Sequence, residues 1–250
     1  MQIILRQMKS DDILSSAAEE VLKNNPDSVR LQQIDAMDED CCAKTLFLML
    51  CGRKTDTAVE HLRAMLEENS WFMLYEPGIL AVSIPTENPM QYAQMLRDTL
   101  ESEAMVPVWI GCSMSYRKMS DLKTAAAQAE TALRTGQCFH QEERIYGYCE
   151  NLIEQMVVSL PENTRQQLLS TVKGMDELND EDAHTAGALM TCSFNAAQAA
   201  RQLYIHRNTL LYRVERIERI TGLNIMHLSD AQKLQTAFLI RESLQNRTAQ

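Results

Sequence analysis

The chain has 250 residues and a net charge of −10, with 45% hydrophobic and 23% charged residues. That composition excludes wholesale disorder, and no apolar run approaches the 18 residues a membrane-spanning helix needs. The length suits one or two folded units, and without a signal-peptide core the chain is expected in the cytoplasm.

In chain order, residues 1–44 read as a polar, acidic, helical segment. Ser10-Asp11-Asp12 can start a helix that stops near Asn25-Pro26, and Asp35–Asp40 reads as a solvated connection. From Lys44 the pattern changes. Leu46–Cys51 is an uninterrupted apolar run, as a buried strand requires, and Ala58–Glu68 follows with helical spacing. Trp71–Tyr75 and Leu80–Ile84 are short apolar strands joined by Glu76-Pro77-Gly78, a hairpin signal. Tyr92–Glu103 is helical, Val106–Cys112 a strand, Asp121–Leu133 an alanine-rich helix and Ile145–Tyr148 a last strand. The order β-α-β-β-α-β-α-β predicts a mixed sheet carrying helices over residues 45–150. Residues 151–180 form a helical connector broken at Pro161, and residues 181–250 read as entirely helical. The fold class is therefore α+β, an α/β domain followed by an all-α domain.

Metal and thiol chemistry find no support. The seven cysteines are scattered without a C-x-x-C pair, and the five histidines show no paired spacing. The cysteines and the fifteen methionines are expected to serve as core hydrophobes. No catalytic residue, metal or cofactor is expected.

The charge is unevenly distributed. Residues 193–250 hold eight Lys/Arg against four Asp/Glu, a balance of +4, so the first 192 residues carry −14. A basic tail on an acidic body suggests that only the tail touches a polyanion. Within it, Asn195 can cap a short helix with Gln198 as its capping-box partner, Ala199 and Ala200 are small enough for a close helix crossing, and Ile205 can plug a turn. His206 stands at the cap of a second helix, in which Leu210, Val214, Ile217 and Thr221 form one stripe. Asn208, Tyr212, Arg216 and Arg219 fall opposite, with Thr209 and Arg213 on the flank. A plain amphipathic surface helix would also show a basic face. The alanine pair, the apolar turn and the local positive charge favour a helix-turn-helix that reads a major groove. Ser229-Asp-Ala-Gln232 then reads as another capping box, opening a helix with Leu234, Ala237, Phe238 and Leu244 on one side.

The run Leu203-Tyr-Ile-His-Arg-Asn-Thr-Leu-Leu-Tyr-Arg-Val-Glu-Arg-Ile-Glu218, with Thr221-Gly222-Leu223, resembles the C-terminal helix-turn-helix of PucR/CdaR-type bacterial transcriptional regulators. It is also similar to the shorter DNA-binding element of the factor for inversion stimulation. Leu211 stands where the family usually has Arg, and Ala186 and Gly187 replace a more leucine-rich preceding helix. Residues 45–150 resemble, more distantly, the degenerate diguanylate-cyclase-like domain of CdaR-type regulators. Tyr75-Glu-Pro-Gly-Ile-Leu80 replaces the acidic hairpin that a working cyclase needs, and one Glu cannot hold two magnesium ions. The resemblance implies a non-enzymatic regulator of a catabolic operon that binds double-stranded DNA as a homodimer, with any small-molecule effector left open. The expected DNA-contacting residues are Asn208, Thr209, Tyr212 and Arg213 at base edges, Arg207 and Arg216 at phosphates, and His206 at the helix cap or the backbone.

Overall fold

The computed structural model describes residues 10–24, 26–36, 42–66 and 69–246. The chain forms two compact units, Met1–Gln155 and Met156–Gln250.

The first unit is built on a five-stranded sheet in the order β2-β3-β1-β4-β5. The strands are β1 (Lys44–Leu50), β2 (Trp71–Glu76), β3 (Ile79–Pro85), β4 (Trp109–Cys112) and β5 (Ile145–Gly147). Central β1 runs antiparallel to β3 and β4, β2 and β3 form the hairpin, and β4 and β5 are parallel. Among the described residues these strands are accompanied by α1 (Ser10–Glu19), continued by a π-helical turn over Glu20–Asn24, α2 (Ser28–Asp35), α3 (Thr55–Met65), α4 (Pro89–Ser102) and α5 (Leu122–Phe139). From β1 onward the strand and helix order is the one the apolar pattern predicts, whereas that pattern does not single out α2.

Helices cover both faces of this sheet. Leu46 and Leu48 of β1 join a core with Leu14, Ala18, Ile34, Ala126 and Ala129, whereas Phe47 and Met49 join one with Leu62, Leu96 and Leu100. A strand buried on both sides reads as an apolar run rather than an alternation, and Leu46–Leu50 of β1 does so, after the buried polar pair Lys44 and Thr45. Gly111 explains why α5 is rich in alanine: a Cβ there would lie 2.2 Å from the Ala129 carbonyl oxygen, so helix and strand backbones nearly touch.

The predicted boundaries shift for identifiable reasons. Strand β4 begins at Trp109 rather than Val106, because Pro107 has no N–H to give a ladder; Val106 and Val108 are still buried. Helix α5 runs to Phe139, six residues past Leu133, because Thr135 and Gly136 continue its buried face. Helix α3 begins at Thr55, after a short 3-10 turn over Gly52–Lys54. The N-terminal segment does not stand apart: α1 packs on β2, and Ser15 Oγ donates to the Phe72 carbonyl at 3.2 Å on the outer strand. Asp35 ends α2, and its carboxylate accepts from the Ser120 N–H at 2.9 Å rather than facing only solvent. The rest of the predicted acidic connection, residues 37–40, lies outside the described residues, as do Asn25 and Glu67–Glu68 and the side chains of the Ser10-Asp11-Asp12 cap.

Helix α6 (Leu152–Ser159) leads into the second unit, which contains α7 (Glu162–Ser170), α8 (Asp180–Thr191), α9 (Ala196–Gln202), α10 (Arg207–Thr221) and α11 (Leu228–Gln245). Residues expected to act as a connector belong partly to this unit. Arg165 of α7 is buried and donates to the Ser243 hydroxyl (2.8 Å) and carbonyl (3.3 Å) of α11. Leu189, Ala199, Leu210, Ile217, Leu234 and Phe238 share one core.

Helix α11 starts at Leu228 with no side-chain cap, so the predicted Ser229 capping box is absent. Asp230 has another task. Its carboxylate accepts from the Asn224 N–H at 3.1 Å, tying the incoming loop to the helix's first turn. Of the described cysteines, Cys51, Cys112 and Cys192 are buried, Cys42 and Cys138 half-buried and Cys149 exposed. Burial pushes the Cys51 and Cys112 thiols up to about 12, far from the thiolate form that reacts.

Candidate nucleic-acid interface

The interface is assembled from α8, α9 and α10, and each junction is closed by the backbone. Helix α8 ends with Ser193 N–H on the Met190 carbonyl (3.1 Å) and Phe194 N–H on that of Leu189 (2.7 Å). Helix α9 ends alike, with Tyr204 N–H on Arg201 O (3.1 Å) and Ile205 N–H on Ala200 O (3.0 Å). Both are Schellman closures, which need a left-handed residue just past the helix. Ser193 (φ 49°) and Tyr204 (φ 55°) fill positions where glycine would be the unstrained choice.

Both start signals read from the sequence are present, one of them incompletely. The Asn195 side chain accepts from the Ala197 and Gln198 N–H groups, each at 3.1 Å. The reciprocal Gln198 bond is not made, because the Asn195 N–H already donates to the Cys192 carbonyl at 3.0 Å. His206 caps α10, its Nδ1 accepting from the Asn208 N–H at 3.2 Å. An Nδ1 that accepts leaves Nε2 as the nitrogen of the ring that carries the N–H.

With the ends fixed, α10 divides into two faces. Leu210, Val214, Ile217 and Thr221 are all buried, and Ala199 and Ala200 are buried where α9 crosses. Ile205 and Leu203 pack against the same core from the turn. Arg207, Asn208, Thr209 and Tyr212 are exposed on the N-terminal half, which bears no acid; Glu215 and Glu218 begin the C-terminal half. The first two turns are therefore the part of α10 suited to a polyanion.

Two expected contacts are engaged inside the protein. Arg216 donates to the Asp182 carboxylate and, at 2.9 Å, to the Glu177 carbonyl. Asp182 is only 2% exposed and also completes a capping box on α8: its carboxylate accepts from the Asn179 N–H (2.9 Å) while the Asn179 side chain accepts from the Asp182 N–H (3.1 Å). The Asp182 carboxylate raises the Arg216 pKa above its ordinary value. Arg213 Nη2 lies 2.9 Å from the Glu181 carboxylate, which is largely in solvent. Arg216 is thus a strut between α8 and α10, whereas Arg213 is held by an exposed and replaceable partner.

Sequence reasoning missed the acids of α8 and one aromatic. Tyr204 is 96% exposed at the turn between the two helices. Its signal was available: a bulky residue where the chain must turn left-handed. Among the described residues no group of three His, Cys, Asp or Glu side chains could hold a metal ion, and no helix is long and apolar enough to cross a membrane.

Residues 183–240 match the family model of the PucR C-terminal helix-turn-helix domain. The chain is 24% identical over 152 residues to the Purine catabolism regulatory protein of Bacillus subtilis (strain 168), covering 59% of this chain and 29% of that one. It is 30% identical over 118 residues to the Carbohydrate diacid regulator of Escherichia coli (strain K12), covering 46% and 30%. The matched stretches span less than a third of either relative. Among solved structures, the Regulator of Polyketide Synthase Expression from Bifidobacterium adolescentis aligns over 94% of both chains, with 17% identity and a TM-score of 0.43. The buried stripe and the two Schellman closures thus lie within the stretch, residues 183–240, that is similar to the PucR C-terminal helix-turn-helix domain.

Proposed function

We propose that this chain is a sequence-specific DNA-binding transcriptional regulator of the PucR/CdaR type, working in the cytoplasm as a homodimer on a catabolic operon. The carrying observation is the acid-free, exposed N-terminal half of α10, held on a buried stripe and capped at both ends. The names of the two curated relatives, both regulators, point the same way. One helix-turn-helix covers about one half-site, so useful specificity calls for a second copy.

In this reading Asn208 pairs with adenine and Arg213 with guanine, after Arg213 exchanges Glu181 for DNA. Thr209 and Tyr212 supply adjacent groove contacts. Arg207 meets phosphate, and the imidazole of His206, with Nδ1 committed to the cap, can offer Nε2–H to the backbone. Arg216 holds α10 in place rather than clamping phosphate. The first unit is a non-catalytic, cyclase-like domain, in keeping with its strand order and with a hairpin turn lacking the paired acids of a metal site.

The test is selection of bound duplexes from random DNA, followed by affinity measurement at several salt concentrations. A recurring motif and a steep fall of affinity with salt are expected. Absence of any enriched motif sinks the proposal. Salt-insensitive self-association without DNA binding would instead favour a module whose C-terminal helices only dimerise.

A further inference from the structure

A cleft of about 910 Å³ opens in the second unit, away from the exposed N-terminal half of α10. Three elements wall it. The end of α7 and the residues after it contribute Leu168, Val172 and Lys173; the last turn of α10 contributes Arg219 and Ile220; and one face of α11 contributes Ser229, Lys233, Thr236 and Ile240. Spacings of three and four along α11 put those residues in one row, while Leu234 and Phe238 pack into the core on another side.

The chemistry of the lining is lopsided. Lys173, Arg219 and Lys233 line the cleft and no acid does, in a chain whose net charge is −10. Lys233 is 3.2 Å from Asp230, an exposed pair of small energetic consequence. Lys173 and Arg219 make no ion pair among the described residues. Leu168, Val172, Ile220, Leu223 and Ile240 line the same cleft, so cationic and apolar side chains share it.

The wall is also fixed. Gly174 adopts φ 67°, and a Cβ on it would fall 2.3 Å from Ile220 Cγ2 and 2.9 Å from the Ile220 carbonyl oxygen. Only a glycine allows this approach, which holds Lys173 beside the end of α10.

We propose that this cleft binds an amphipathic organic anion, an apolar body bearing a carboxylate or sulfonate. The volume falls within the range of small-molecule sites, and a lining of three cations and apolar side chains without an acid selects that class against neutral or cationic ligands. Because the last turn of α10 forms one wall, occupancy bears directly on the helix whose other end is the candidate DNA-reading surface. The site itself stands whether or not DNA is the partner.

Two dyes that differ by one charge test this on the full chain. Anilinonaphthalenesulfonate supplies the apolar body and the anion, and N-phenylnaphthylamine is the same body without the sulfonate. Fluorescence titration should show saturable binding of the sulfonate, tighter than the neutral dye by about tenfold. The triple variant K173Q/R219Q/K233Q should lose that preference and leave the neutral dye unchanged. Amide chemical shifts in the unmutated protein, which do not depend on how the variant folds, should move at Ile220, Gly222 and Thr236. Equal binding of the two dyes, an undiminished preference in the triple variant, or shifts confined to other residues would each overturn the proposal.

Discussion

The two units differ in where their ion pairs sit relative to the core. In the first, helices cover both faces of the sheet, and the buried polar side chains are mostly hydroxyls such as Ser83, Ser113 and Thr135. Its ion pairs Arg30–Glu20 and Arg144–Glu101 are part-exposed, so its order rests mainly on burial and close backbone approach. In the second, the core is smaller and its helices are joined by ionic and backbone bonds: Arg216 to Asp182, Arg165 to Ser243, and Arg241 to the Met175 and Leu178 carbonyls at 3.0 and 2.7 Å. Arginines that bridge helices also set which arginines remain for a partner. A unit built this way is tuned by charge, whereas the sheet unit answers mainly to volume.

The comparison breaks most sharply under a core truncation. Leu210→Ala should cost ~2–5 kcal/mol through a cavity in the second unit. Hydrogen exchange should then rise across α8–α10 while β1 stays protected. A uniform rise across both units would mean that they do not respond separately.

Removing the buried acid comes next. Asp182→Ala takes away both a helix cap and the Arg216 partner, at an expected ~1–3 kcal/mol, and Asp182→Asn should recover part of the loss by keeping the cap. Thermal unfolding of the two variants checks this, and equal stability of both would assign the loss entirely to the ion pair.

A smaller effect concerns the exposed pair. Glu181→Gln should tighten DNA binding about two- to fivefold by freeing Arg213. In an Arg213→Gln background the same change should do nothing. If the gain persists there, Glu181 acts through its general field on DNA and not by occupying Arg213.

His206→Ala should cost ~0.5–1 kcal/mol by uncapping α10, with His206→Asn restoring it. Faster exchange of the Asn208 amide reports the loss directly.

The least effect belongs to acid. The Lys233 side chain and the Asn224 N–H hold the Asp230 carboxyl below its ordinary value. A carboxylate depressed in the fold stabilises it above the unfolded pKa, and that support is lost as pH falls through the folded value. Amides of the Asn224–His227 loop should therefore exchange faster only in the acid limb, and Asp230→Asn should remove that dependence. An unchanged acid limb in the variant would exclude Asp230 as its source.

Sequence alone determined the order of strands and helices, the hairpin at Pro77-Gly78, and the buried stripe of α10, because each rests on local periodicity or turn chemistry. The same holds for the caps Asn195 and His206, whose bonds span two or three residues. Only the tertiary structure shows which of the cations are engaged within the protein. Whether Arg213 and Arg216 face a groove or a neighbouring helix depends on Glu181 and Asp182, more than thirty residues upstream, and periodicity within α10 carries no trace of them. The extension of α5 past Leu133 was likewise decided by packing, since Gly136 lies against the Tyr146 ring, whereas the late start of β4 follows from Pro107, which the chain itself displays. Helical spacing says which side of a helix is polar, whereas long-range packing decides which polar groups are already engaged, because an ion pair is set by distance in space and not along the chain.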